Sequence, residues 1–160
     1  MAEDKNRKPA GMSRKPVQPV EELAEVELVK GSLHAFPLVN ESGLKKKTRE
    51  LPETGEDLNR LFPGQSDGTL GQKIVHSVWQ EIVAIKPTLV FDLHNDWNHS
   101  IPYTIVNAPK ISRLNQSISE KEIYYARKTG FVVIEDRSED YSSNGAPGTL
   151  SDNLLLKNIP

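Results

Sequence analysis

Residues Thr88 to His94 read Thr-Leu-Val-Phe-Asp-Leu-His, a nearly continuous apolar run that turns polar at its end. A strand buried on both faces reads this way, and such strands belong to parallel sheets covered by helices. The run follows a segment with helical periodicity. From Thr69 to Ile85, the residues Leu70, Ile74, Val78, Ile82 and Ile85 fall on one stripe, Asp67 or Thr69 can cap the start, and Lys86-Pro87 ends it. The alternation then continues. Pro102 to Val106 reads as a strand. A helix capped by Ser117 or Ser119 runs to Lys128 and stops at Gly130, and Phe131 to Glu135 is a second buried-strand pattern. Thr149 to Lys157 predicts a last helix. Strands alternating with helices predict an α/β domain, a mostly parallel sheet flanked by helices. Ligands of open sheets sit beyond the carboxyl ends of strands, which puts His94 and the loop after it at the expected binding edge.

The remaining segments are more polar. Met1 to Pro19 carries Lys5, Arg7, Lys8, Arg14 and Lys15 with three prolines and little that is large and apolar. It cannot bury enough surface to offset its ordering entropy, so residues 1–19 predict a flexible basic tail and residues 20–160 the domain. Glu21 to Lys30 predicts a short helix stopped by Gly31. Ser32 to Val39 predicts a strand that Pro37 keeps at an edge. Asn40 to Asp67 predicts a long polar connection, and such loops are often functional.

Bulk properties exclude several classes. A net charge of -2 gives no field that would draw nucleic acid or an anionic membrane. No apolar run approaches the ~20 residues of a membrane span. The basic N-terminus lacks the apolar stretch of a secretory signal. The expectation is a cytoplasmic protein acting on a small molecule. The chain has no cysteine, so disulfides and thiolate metal sites are excluded and His and carboxylates remain as metal donors.

Two short segments carry candidate chemistry. Along a strand, residues two apart share a face, so Asp92 and His94 project together. A carboxylate beside an imidazole is how metal sites orient a histidine, and it is equally how a structural histidine is satisfied. The second segment is Asp57-Leu58-Asn59-Arg60-Leu61-Phe62-Pro63-Gly64. Arg60 offers a planar fork that fits a carboxylate, Asn59 adds an amide donor, and Arg49 supplies a second cation. A pairing of Arg60 with Asp57 that only fastens the loop fits the same residues.

Taken together, Arg49, the Asp57–Gly64 segment, a helix, and a buried run ending in Asp92-Leu93-His94 resemble the succinylglutamate desuccinylase/aspartoacylase family, a branch of the zinc carboxypeptidase-like superfamily. The resemblance covers Val20 to Pro160 and is closest over Arg49 to His94. It implies a zinc-dependent hydrolase that cleaves the amide of an N-acyl amino acid or a similar carboxylate-bearing substrate. It also implies a zinc held by a His and a Glu of an upstream H-x-x-E motif and by a strand-end His, here His94, with Asp92 beside it. Asn59 and Arg60 match the pair that grips the substrate carboxylate, and Arg49 matches a further arginine near it. Zinc in such a site polarises the amide carbonyl and acidifies its bound water, and a Glu of a later strand is the general base.

The sequence departs from that pattern. No H-x-x-E occurs in it, and Leu154 to Pro160 resembles only the lead-in to the strand that bears the catalytic Glu. The expectation is therefore a domain truncated at both ends, in which no catalytic residue is identified. Asp96 and His99 lie in a loop of no set geometry and are poor substitutes as ligands. His34 and His76 read as structural, with His76 exposed, and Trp79 as half-buried beside the apolar stripe. Three alternatives stand beside the deacylase: a zinc carboxypeptidase, a non-catalytic carboxylate-binding domain, and an inactive fragment.

Overall fold

The computed structural model describes residues 25–94, 101–107, 116–136 and 148–160. The expected basic tail, Asp96 and His99 lie outside the described residues. The chain divides into two units, residues 1–39 and 40–160.

In the first unit, residues 25–39 form neither helix nor strand. This corrects the helix expected to reach Lys30 and the strand expected over Ser32 to Val39. Val26, Leu28, Leu33, Phe36 and Leu38 are all exposed. A short helix without a packed face is marginal, and Pro37 has no N–H to give a ladder. His34 Nε2 lies 3.1 Å from Ser32 Oγ.

The second unit opens with α1, Glu41–Lys46, inside what the sequence presents as an unbroken loop. Asn40 caps it by accepting from the Gly43 N–H at 2.8 Å, and Lys47 closes it in the left-handed region at φ 60°. A 3-10 turn, Leu58–Arg60, breaks the same connection again, with Asp57 as its cap. Then comes α2, Leu70–Ile85, as the periodicity predicts. Its start is a full capping box. Thr69 Oγ1 accepts from the Gln72 N–H at 3.3 Å, and Gln72 Oε1 accepts from the Thr69 N–H at 3.0 Å.

The buried row of α2 differs from the expected stripe. It comprises Gly71, Val75, Trp79 and Ile82, while Leu70 is exposed and Ile74 and Val78 are partly buried. Gly71 explains the rotation. A Cβ there would stand 2.7 Å from Leu61 Cδ1, so the preceding loop packs on a position that apolar periodicity does not count. Trp79 is thus 6% exposed rather than half-buried, and His76 is half-buried rather than exposed. One core gathers Leu51, Leu58 and Phe62 from the loop with Val75, Trp79 and Ile82 of α2 and a leucine of the last helix, Leu154. Each such side chain contributes roughly 1.5–3 kcal/mol by leaving water.

The Thr88–His94 run is not a strand here. Phe91 is 56% and Leu93 79% exposed, and Val90 donates its N–H to the Pro160 carbonyl at 2.9 Å. A strand exists only by its neighbours, and among the described residues none pairs with this run in a ladder. The expected sheet appears downstream. Strand β1, Tyr103–Asn107, pairs in parallel with β2, Val132–Asp136, in the register Tyr103 to Val132 through Asn107 to Asp136. Between them runs α3, Gln116–Lys128, which packs on both strands. Ser117 and Ser119 lie inside this helix instead of capping it. Val106, Ile118 and Ala126 are buried there, whereas Phe131, Val132 and Ile134 are exposed, so β2 is not the strand covered on both faces that its composition predicts. The last helix, α4, spans Leu150–Leu156 with Thr149 as its cap. Helices with a small parallel sheet make a mixed α/β arrangement. Among the described residues no helix is long and apolar enough to cross a membrane.

Candidate functional site

The loop before α2 is built from its own polar side chains. Asp57 uses both carboxylate oxygens. Oδ1 accepts the Asn59 N–H at 3.0 Å, which starts the 3-10 turn, and Oδ2 accepts from Arg49 Nε at 2.9 Å. The loop-fastening pair is therefore Arg49 with Asp57, not Arg60 with Asp57. The Arg49 side chain is about half exposed and that of Asp57 is more covered. Arg60 is exposed, and its Nη1 donates to the Asn59 carbonyl at 2.7 Å.

His94 and Asp92 meet although no strand holds them. Nε2 of His94 lies 3.0 Å from Asp92 Oδ2, with the imidazole 51% exposed. A carboxylate only accepts, so Nε2 carries the proton and Nδ1 is left as the nitrogen available to a ligand. The hydrogen bond to Asp92 is the main influence on the imidazole and raises its pKa above 6.5. Desolvation opposes it, the charges of Asp92 and Asp57 add to it, and the charge of Arg49 lowers it. Arg49 and Asp57 are thus near enough in space to act on His94, across more than thirty-five residues of sequence. Arg49, Asp57 and the Asn59 backbone form one hydrogen-bonded polar cluster, and the Asp92–His94 pair feels its charge without a hydrogen bond to it among the described residues.

The cluster has a second wall that the sequence did not disclose. The segment leading into α4 lies against the Asn59–Phe62 backbone. Phe62 N–H donates to the Gly148 carbonyl at 2.9 Å, and Leu150 N–H donates to Asn59 Oδ1 at 2.8 Å. The buried Asn153 donates through Nδ2 to the carbonyls of Phe62 at 3.2 Å and Thr149 at 2.8 Å. Gly148 permits this approach, since a Cβ there would collide with the Arg60 carbonyl. The one available signal was the Gly-Thr pair at the start of a predicted helix, which reads as a cap and gives no hint of what the cap packs against.

Glu56 ties the same loop to α2. It accepts from the Thr69 hydroxyl and, at 3.1 Å, from the Gly71 N–H. The Thr69 hydroxyl, then a bond from Thr54, hold its carboxyl below the usual 4.5, and the Gly71 N–H adds to this. Among the described residues no group of three His, Cys, Asp or Glu side chains could hold a metal ion.

The family described as "Succinylglutamate desuccinylase/Aspartoacylase catalytic domain" matches residues 18–149 of the chain. No curated protein and no solved structure matches it.

Proposed function

We propose, from the premise that the chain belongs to the succinylglutamate desuccinylase/aspartoacylase catalytic-domain family, that the Arg49–His94 segment binds the carboxylate of an N-acyl amino acid and holds its amide for hydrolysis. The observation that carries this reading is the hydrogen-bonded Arg49–Asp57–Asn59 arrangement, with the Asp92–His94 pair within reach of its charge. Arg49, Arg60 and the Asn59 amide lie on one loop, and the His94 imidazole is hydrogen-bonded to Asp92. Arg49 and Arg60 supply the charge that draws and orients a carboxylate, and Asn59 supplies a neutral donor. His94 is the proposed zinc donor of this chain, with Asp92 setting its tautomer. The described residues do not by themselves fit a zinc ion, because no three donors converge. The roles ascribed to them are therefore binding, orientation and proton placement on His94. Zinc, once held, would supply the Lewis acid for the amide carbonyl. A zinc carboxypeptidase-like fold belongs to the same proposal.

A second reading is a domain that binds the carboxylate without turning substrate over. The spare donors of Arg49 and Arg60 serve it without a metal. Elemental analysis of the purified chain, beside His94→Ala, separates the two. Near one zinc per chain, lost in the variant, together with hydrolysis of N-succinylglutamate, supports the hydrolase. Binding of N-succinylglutamate with neither zinc nor turnover supports the binding domain. Failure to bind it at all refutes both.

A further inference from the structure

We infer that the backbone N–H of Leu150 is a positioning group for Asn59: it fixes the side-chain amide so that Nδ2, and not Oδ1, is presented to an anion. This rests on the reading of Asn59 as a carboxylate-binding residue and specifies how that residue is made selective. An asparagine amide has an acceptor end and a donor end of nearly equal size, and an unanchored one presents either. Only the donor end attracts a carboxylate. The structure removes the ambiguity with a donor that cannot change its role, since a backbone N–H matches Oδ1 alone. Leu150 N–H reaches Asn59 Oδ1 at 2.8 Å, and among the described residues Nδ2 has no acceptor.

The placement of Leu150 makes this possible. Thr149 is the cap of α4, so Leu150 is its first helical residue. The N–H at that position has no partner within its own helix and is normally left to water. Here it is spent on a side chain 91 residues away in sequence. Gly148 brings the backbone close, and Asn153 holds Phe62 from the next turn of the helix. The segment leading into α4 thereby acts as a jig for the Asn59–Arg60 pair.

The same position supplies a clean test. Proline is favoured at the first residue of a helix, where its fixed φ fits and its missing N–H costs no helical bond. Thr149 at φ -84° and ψ 155° already has the conformation that a residue before proline requires. Leu150→Pro therefore deletes the donor and leaves the helix. Leu150→Ala keeps the donor and removes the same core-packed side chain. Binding of N-succinylglutamate to the full chain is measured for both, with Asn59→Ala beside them. Three χ1 wells and two amide orientations give about six states where the anchored residue has one. Leu150→Pro is therefore expected to bind about fivefold more weakly than Leu150→Ala, and the Asn59 side-chain amide to lose NMR order only in the proline variant. Equal affinity and equal order in the two Leu150 variants overturn the inference. Asn59→Ala binding as tightly as the unsubstituted chain overturns the carboxylate-binding reading, and the inference with it.

A measurement on the unsubstituted fold guards against a proline variant that fails to fold. The Leu150 amide proton is expected to be protected from solvent exchange, and Asn59→Ala to abolish that protection. Rapid exchange in the unsubstituted chain also overturns the inference.

Discussion

Replacing Gly148 with alanine puts one methyl group into the contact between the α4 lead-in and the candidate binding loop. The added Cβ would collide with the carbonyl group of Arg60 and stand 3.0 Å from the Leu61 nitrogen. Neither neighbour is the end of a flexible side chain, so relief needs movement of backbone by about 1 Å. Overpacking of that kind typically costs about 1–3 kcal/mol. The same movement stretches the 2.9 Å bond from Phe62 N–H to the Gly148 carbonyl beyond hydrogen-bond range, worth roughly a further 1 kcal/mol. Gly148→Ala is therefore expected to destabilise the chain by about 2–4 kcal/mol. Equilibrium unfolding in urea, followed by far-UV circular dichroism, reads this as a lower midpoint with an unchanged slope. It should also weaken N-succinylglutamate binding in the variant molecules that remain folded, because the displaced backbone is that of Arg60. A loss below about 0.5 kcal/mol would mean that the two segments do not touch as described, and the account of the site's second wall would fall.

Arg49→Gln removes a half-exposed ion pair with Asp57 and is expected to cost less than about 1 kcal/mol of stability, while weakening N-succinylglutamate binding by roughly tenfold; a large stability loss with unchanged binding would make Arg49 a loop fastener only. Trp79→Ala empties a site that is 6% exposed in the main core and is expected to cost about 3–5 kcal/mol by urea denaturation. His94, whose pKa is raised chiefly by its bond to Asp92, is expected to titrate above 6.5 by NMR in the metal-free chain, and Asp92→Asn to lower that midpoint. Its sign follows: the stability from this pair is fully present below the unfolded histidine pKa and is lost as pH rises through the folded one. Glu56 has the opposite sign, since its carboxyl is held low by Thr69. Its contribution is present above the unfolded pKa and is lost as pH falls through the folded one, so the acid side of the stability profile should flatten in Glu56→Gln.

The parts of the fold legible in the sequence are those whose causes are local. Helices α2 and α4 announce themselves through Thr69 and Thr149 as caps and through their apolar spacing, and both form within a residue or two of the expected bounds. Strand β1 and helix α3 also form close to the expected bounds, although neither Ser117 nor Ser119 is the cap of α3. The run at Thr88–His94 shows the limit. Its composition states what environment it suits, but a strand requires ladder partners, and composition does not supply them. The Asn40–Asp67 connection failed differently. Its two short turns are made by Asn40 and Asp57 acting as caps, and polar caps in a polar stretch look like any other loop residues. The family resemblance named Arg49, Asn59, Arg60, Asp92 and His94 together. It could not tell that Asp57 would bind Arg49 instead of Arg60, because that choice is set by the fold of the turn.

That choice has a consequence for how the loop would receive an anion. Arg49 is held through Nε alone, and Arg60 through one Nη to the carbonyl just before it. Each guanidinium keeps its other N–H groups, which among the described residues have no acceptor, so each is aimed without being consumed. Asp57 is engaged at both oxygens. Its two oxygens are taken by the Asn59 N–H and by Arg49, so its negative charge is tied into the loop that it shapes. Holding two long side chains at one nitrogen removes much of the rotamer entropy that binding would otherwise have to overcome, about 0.5–1.5 kcal/mol for each. Arg60 is exposed and Arg49 about half exposed, so these donors are open to water and to an anion that displaces it. Loss of Asp57 should therefore release Arg49 and weaken anion binding, although it deletes a negative charge from the site. Pure charge balance predicts the reverse, so the sign of the change in N-succinylglutamate affinity in Asp57→Asn decides between preorganisation and net charge as the basis of recognition.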